Sequence, residues 1–139
     1  MQDILIHARD YHGHTTACEF GVRLAATLGA SVTAVYACPH PMYFSPVVYP
    51  SAITAFMENA LELVKNAVQA RPAFEQWAAS LGGPKAEWLV AQGIASDALL
   101  QAATRHDLLV LDHPRIDQGS PWDIPGLILR AGVPCIMLP

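Results

Sequence analysis

Asp107-Leu108-Leu109-Val110-Leu111-Asp112 sets a short block of large apolar residues between two aspartates. A run this short and this evenly apolar offers no polar face to water, so it reads as a strand buried on both sides, the kind found in parallel sheets. Asp3-Ile4-Leu5-Ile6-His7-Ala8 has the same character near the start of the chain. Between these two lie Ser31 to Cys38, with the β-branched and aromatic content of a strand, and Lys85 to Ala91, which turns from alternating to continuously apolar before Gly93. Val133 to Leu138 supplies a fifth strand.

Helical spacing fills the intervals. Thr16 and Glu19 stand three apart as a capping box, ahead of Ala17, Phe20, Gly21, Leu24, Ala25 and Leu28, and Gly29 offers a stop. From Ser51 the stripe Ile53, Phe56, Met57, Ala60, Leu61, Val64, Ala67 and Val68 predicts a long helix with that face in the core. Pro72 should kink or break it, after which Phe74, Trp77, Ala78 and Leu81 continue the face to Gly82-Gly83. Ser96 or Asp97 is positioned to cap a helix carrying Leu99, Leu100, Ala102 and Ala103, and a short helix from Ile124 to Ala131 is ended by Gly132. Strict alternation of strand and helix implies right-handed crossovers, hence a doubly wound α/β domain with a five-stranded parallel sheet and helices on both faces. With 139 residues, residues 1–139 are expected to form a single domain.

The composition is 53% hydrophobic and 14% charged, with a formal charge of −4. Arg9, Arg23, Lys65, Arg71, Lys85, Arg105, Arg115 and Arg130 are scattered singly, whereas a phosphate backbone needs clustered cations, so no nucleic-acid partner is expected. Polar residues interrupt every apolar run before the roughly 18 needed to span a bilayer, so no membrane span is expected either. The chain enters its first strand at once, which leaves no room for a signal peptide, and Cys18, Cys38 and Cys135 are odd in number and widely spaced. Both features point to the cytoplasm and to reduced core thiols.

In a doubly wound sheet, ligands bind beyond the carboxyl ends of the strands, where the strand order reverses. That places Arg9 and Asp10 after strand one together with Asp112 and His113 after strand four, and adds Val35 of strand two, Gly93 after strand three, Gly119 and Ser120 as candidate pocket residues. Neither of the two central loops is glycine-rich. Asp112 and His113 beside Asp10 have the makings of an acid–base pair, but no Ser or Cys nucleophile stands nearby at a strand end, and they read as solvated loop residues. His12, His14, Cys18 and His113 are of metal-binding type; Cys18, however, falls inside the capped helix, and no metal site is assigned. The apolar, proline-rich stretch from Pro39 to Pro50 reads as a loop that lines a pocket or packs against the long helix or a partner subunit.

The order of these pieces resembles the universal stress protein family. Ile4-Leu5-Ile6, Leu24 to Ala30, Val32 to Val35, Trp88 to Gly93, Asp107 to Val110 and Val133 to Met137 follow its succession of strands and helices over nearly the whole chain. The resemblance implies strand order 3-2-1-4-5, a homodimer made through the last strand, here Val133 to Leu138, and in many members ATP binding. ATP-binding members hold the phosphates with backbone amides of Gly, two residues, Gly, about nine residues, then Gly-Ser or Gly-Thr after strand four. Here Asp112 and Arg115 occupy the first two glycine positions, and Gly119-Ser120 stands in for the last pair. Those members also carry Asp at the end of strand one, where this chain has Arg9, with Asp10 one position on. The expectation is therefore a small-molecule-binding or regulatory domain, non-catalytic, with no cofactor and no ATP in the usual mode. The alternative is a small nucleotide-binding protein or phosphohydrolase using the same cleft.

Overall fold

The structure is a computed structural model that describes residues 2–11, 15–38, 50–83, 85–113 and 124–139. Its elements are β1 (Asp3–His7), α1 (Thr16–Leu28), β2 (Ser31–Cys38), α2 (Pro50–Gln69), α3 (Arg71–Ser80), β3 (Ala86–Gln92), α4 (Ala95–Ala103), β4 (Leu108–Asp112), α5 (Ile124–Ala131) and β5 (Cys135–Leu138). The five strands form one parallel sheet in the order β3-β2-β1-β4-β5, as expected.

Period-two alternation divides the core between the two faces of that sheet. Ile4 and Ile6 of β1, Val32, Ala34 and Tyr36 of β2, Trp88 of β3, and Leu108 and Val110 of β4 face α1, α2 and α3. Leu5, Val35, Leu109 and Leu111 face α4 and α5, where Leu99, Ala103, Ile124 and Leu127 close over them. Gly21 lets α1 lie close on β1: a Cβ there would come within 2.4 Å of Ile6 Cδ1.

The centre of the first face is aromatic. Trp88 is fully buried, stacks on Tyr36 and lies 5.1 Å from the Phe74 ring. Its indole Nε1 donates to Ala67 O at 2.8 Å, and the Arg71 guanidinium donates to Trp88 O. These bonds meet at the break between α2 and α3. Pro72, at the start of α3, has no N–H to continue the first helix, and the indole satisfies a carbonyl at the end of α2.

Four expectations need correction. The cap of α1 is Thr15, whose Oγ1 accepts the Cys18 N–H at 3.3 Å; Glu19 pairs with Arg23 instead of completing a box. Neither Ser96 nor Asp97 caps α4, which begins at Ala95 with Ile94 as its uncapped boundary, so that Ser96 is buried within the first turn. In α2 the core side is set by Ala67, with Leu63 and Val64 packed beside it, while Met57, Leu61 and Val68 are exposed. At roughly 100° per residue those three project about a quarter-turn away from Ala67. Lastly, β5 begins at Cys135 instead of Val133, because Pro134 has no N–H to donate to the ladder. The Pro39 to Pro50 loop lies outside the described residues up to residue 49.

Trp88→Phe removes the indole donor and part of the ring from a closed core. A destabilisation of about 2 kcal/mol or more is expected, to be read from urea unfolding followed by circular dichroism.

Candidate functional site

β1 is the pivot of the sheet, with β2 on one side and β4 on the other, so the chain reverses direction of winding between β1 and β4. The carboxyl ends of these two strands lie side by side, Ile6 opposite Val110. Residues that leave them in sequence are thereby brought together in space: Arg9 and Asp10 from β1, Asp112 from β4.

Asp112 shares the parity of Leu108 and Val110, so its side chain points toward α1. It is buried, with 5% of its surface exposed. Its Oδ1 accepts the backbone N–H of Ala17, in the first turn of α1, at 3.0 Å. Its Oδ2 is sealed from solvent, accepts no hydrogen bond among the described residues, and lies 3.6 Å from Nε of Arg9. Thr15 takes the next amide of the same turn, Cys18 N–H. A carboxylate thus occupies the positive end of the helix dipole, flanked by a guanidinium whose side chain is about one third exposed.

The other predicted residues fall around this pair. Asp10 is exposed and close enough to raise the Tyr36 phenol, which burial chiefly, then Cys38, Asp10 and Tyr11, push up to about 12. Val35 lies below the site: its side chain is in the α4–α5 core, and its carbonyl accepts the Ala8 N–H at 2.9 Å. Gly93 follows β3 at φ +123°, a conformation that favours glycine, and its N–H bonds to Cys38 O. His113 is exposed and of opposite parity to Asp112; its N–H runs to Leu138 O at 2.7 Å, so strand geometry sends the two neighbours to different faces. Gly119, Ser120, Arg115, His12 and His14 lie outside the described residues.

Two features escaped the sequence reading. Tyr11 packs edge-on to Tyr36 with ring centroids 6.0 Å apart, extending the Trp88 stack to the mouth of the site; Tyr36 is signalled by its shared parity with Val32 and Ala34. His7 closes a continuously apolar strand and is buried, with its pKa lowered to about 4 by burial first and by the Arg9 charge second. The thiols here are not reactive in kind. Burial pushes Cys18 up to about 11 and raises Cys38 as well, so neither is a thiolate at neutral pH. Among the described residues no cluster of three or more His, Cys, Asp or Glu is arranged to hold a metal ion, and no helix is long and apolar enough to cross a membrane.

Solved structures with this architecture cover almost the whole chain. Universal stress protein UspA from Lactobacillus plantarum superposes with a TM-score of 0.73 at 19% identity, over 99% of this chain and 97% of its own. The chain has the universal stress protein fold. A universal stress protein in complex with cAMP matches at TM-score 0.64 and 16% identity, covering 99% of this chain and 97% of that one. One from Archaeoglobus fulgidus in complex with dAMP matches at 0.55 and 17%, covering 100% and 98%. No protein-family model matches the sequence, and no curated protein matches it. The universal stress protein fold is therefore carried by a sequence far from those of these neighbours.

His7 makes the stability of this fold pH-dependent in a defined window. Above pH 6.5 neither the folded nor the unfolded chain carries its proton; below, the unfolded chain takes one up while the folded chain does not until about pH 4. Stability should fall as pH drops from 6.5 to 4, by about 3 kcal/mol in total from this group. Urea midpoints measured across that range should lose this slope in His7→Leu, whatever the variant's stability at pH 7.

Proposed function

We propose that the chain is a universal stress protein-like small-molecule-binding or regulatory domain, non-catalytic, which receives its ligand between the loops after β1 and β4 and does not bind ATP in the usual mode. The supporting observation is Asp112. At the position where ATP-binding members resembling this chain have the first phosphate-binding glycine, a buried carboxylate already occupies the amide of α1. A negative group there opposes a polyphosphate, and a side chain replaces the open backbone that a phosphate nest requires. Arg9, in place of the family's strand-one aspartate, pairs with this carboxylate instead of meeting a nucleotide. The non-catalytic reading is favoured by the same pair, since a carboxylate tied to an amide and a guanidinium is not poised as a base, and by the raised thiols of Cys18 and Cys38.

The solved neighbours in complex with cAMP and dAMP make adenine nucleotides the probes of first choice. Purified protein heated with ATP should show no rise in melting temperature at millimolar nucleotide and should release no phosphate. ATP turnover that disappears in Asp112→Ala would overturn this reading in favour of a phosphohydrolase.

The protein acts, on this reading, as a cytoplasmic homodimer joined through its last strand. β5 is an edge of the sheet and is half-buried along its length in the single chain. Leu109 and His113 donate to the carbonyls of Pro134 and Leu138, so strand alternation directs the amides of Cys135 and Met137 away from β4, toward a twin. Native mass spectrometry should report a dimer, and Met137→Pro, which removes one outward amide without touching the β4 ladder, should yield folded monomer.

A further inference from the structure

We infer that the exposed flank of α2 is a self-association surface: it pairs antiparallel with α2 of a second copy of this chain, separately from any pairing through β5. Met57, Leu61, Val64 and Val68 recur at intervals of four, three and four residues, the 3.5-residue repeat by which two helices interlock their side chains. At 100° per residue the four fall within an arc of about 60°. Met57, Leu61 and Val68 are 55%, 66% and 52% exposed, and Val64 is half-buried. A helix that covers the sheet of its own domain needs one apolar face, and α2 already has one in Ala67 with Leu63 beside it. The second stripe, about a quarter-turn round the helix, leaves three large apolar side chains largely in water. α2 packs on β2 and β3, and β3 is the edge of the sheet remote from β5, so the stripe and the β5 edge stand at opposite ends of the molecule.

Charge decides the occupant. Along the solvent side of the stripe stand Glu58 and Lys65, both exposed, and neither enters an ion pair among the described residues. On the other side of the stripe are Ala60 and Ala67, the latter buried in the protein's own core. A twofold axis across the seam sets like flanks of two identical helices side by side, with Leu61 against the partner's Val64 and Met57 against the partner's Val68. Glu58 then lies beside the partner's Lys65, and Lys65 beside the partner's Glu58, so both meetings join opposite charges. A parallel pair would instead set each charge against the alanine flank, which the core of the other copy already covers. The surface is thus complementary to itself in one orientation. Exposed ion pairs of this kind add little affinity, so the apolar stripe drives the contact and the two charges set its direction.

The test follows sedimentation of the whole chain from about 10 µM to about 0.5 mM, in Met137→Pro, which removes pairing through β5, and in wild type, where α2 pairing adds a further step of mass. Met137→Pro should be monomeric when dilute and form a reversible dimer toward the upper end of that range. Leu61→Ser, at a position 66% exposed in the single chain, should weaken this dimer by about tenfold or more and leave the urea midpoint of the dilute protein unchanged. Glu58→Lys and Lys65→Glu should each weaken it too, because each sets like charges together on both sides of the dyad. An equimolar mixture of these two charge variants should pair again as tightly as the parent. Absence of a concentration-dependent step in both backgrounds overturns the inference. So does a step that Leu61→Ser leaves in place, or a mixture of charge variants no tighter than its separate components. Should Met137→Pro fail to fold, the same comparisons of Leu61→Ser and the charge variants in wild type decide the question, since the substituted side chains are exposed and the β5 edge is untouched.

Discussion

The pairing of β4 alongside β1 is the constraint from which the rest follows. It sets the reversal of winding at the centre of the sheet, and both ends of the pairing are fastened by an aspartate accepting backbone N–H groups. At the start of β4, Asp107 Oδ2 accepts the amides of Gln2 and Asp3; at its end, Asp112 Oδ1 accepts the amide of Ala17. The four apolar residues between them are buried on both faces, so the strand has no freedom to slide: a one-residue slip would bring both carboxylates to the wrong face. The two bonds of Asp107 hold its carboxyl below the usual range at the exposed end of the strand.

The buried end has a different character. Asp112 ties α1 to the sheet beside the tight approach of Gly21 to Ile6, and it pairs with Arg9. Arg9 in turn adds its charge to the burial that keeps His7 neutral. Asp112 thus fixes the entry of α1 and pairs with the same guanidinium that acts on His7. The aromatic series Phe74, Trp88, Tyr36 and Tyr11 runs from the α2–α3 break to the segment that follows β1.

Much of this was legible from residue order. The five apolar strands, the break at Pro72, the end of α1 at Gly29 and the convergence of Arg9 with Asp112 all follow from periodicity and from the winding rule, because each depends on local chemistry or on a topology with few alternatives. The misreadings share a cause. Thr16 with Glu19 looked like a capping box because local spacing is all a sequence displays, yet the helix starts one residue earlier, with Thr15 capping Cys18 N–H, Thr15 O taking the Glu19 amide and the Glu19 side chain paired with Arg23. Met57, Leu61 and Val68 have the spacing of a core stripe, but which flank of α2 turns inward is fixed by the contact of Ala67 with the Trp88 indole. Asp112 and His113 are adjacent in sequence and part company in space because strand side chains alternate.

The sequence by itself determined the fold class, since apolar runs buried on both faces admit few arrangements other than a covered parallel sheet, while the expected strand order came from the resemblance to the universal stress protein family. Only the tertiary structure decided what Asp112 does. A carboxylate at a strand end reads as a solvated charge until the sheet carries it to the amide of a helix that begins far away in the chain, where the same carboxylate becomes buried and bonded. Polar function here depends on which groups are taken out of water together, and that is a property of packing across the sheet, beyond the reach of any window of neighbouring residues.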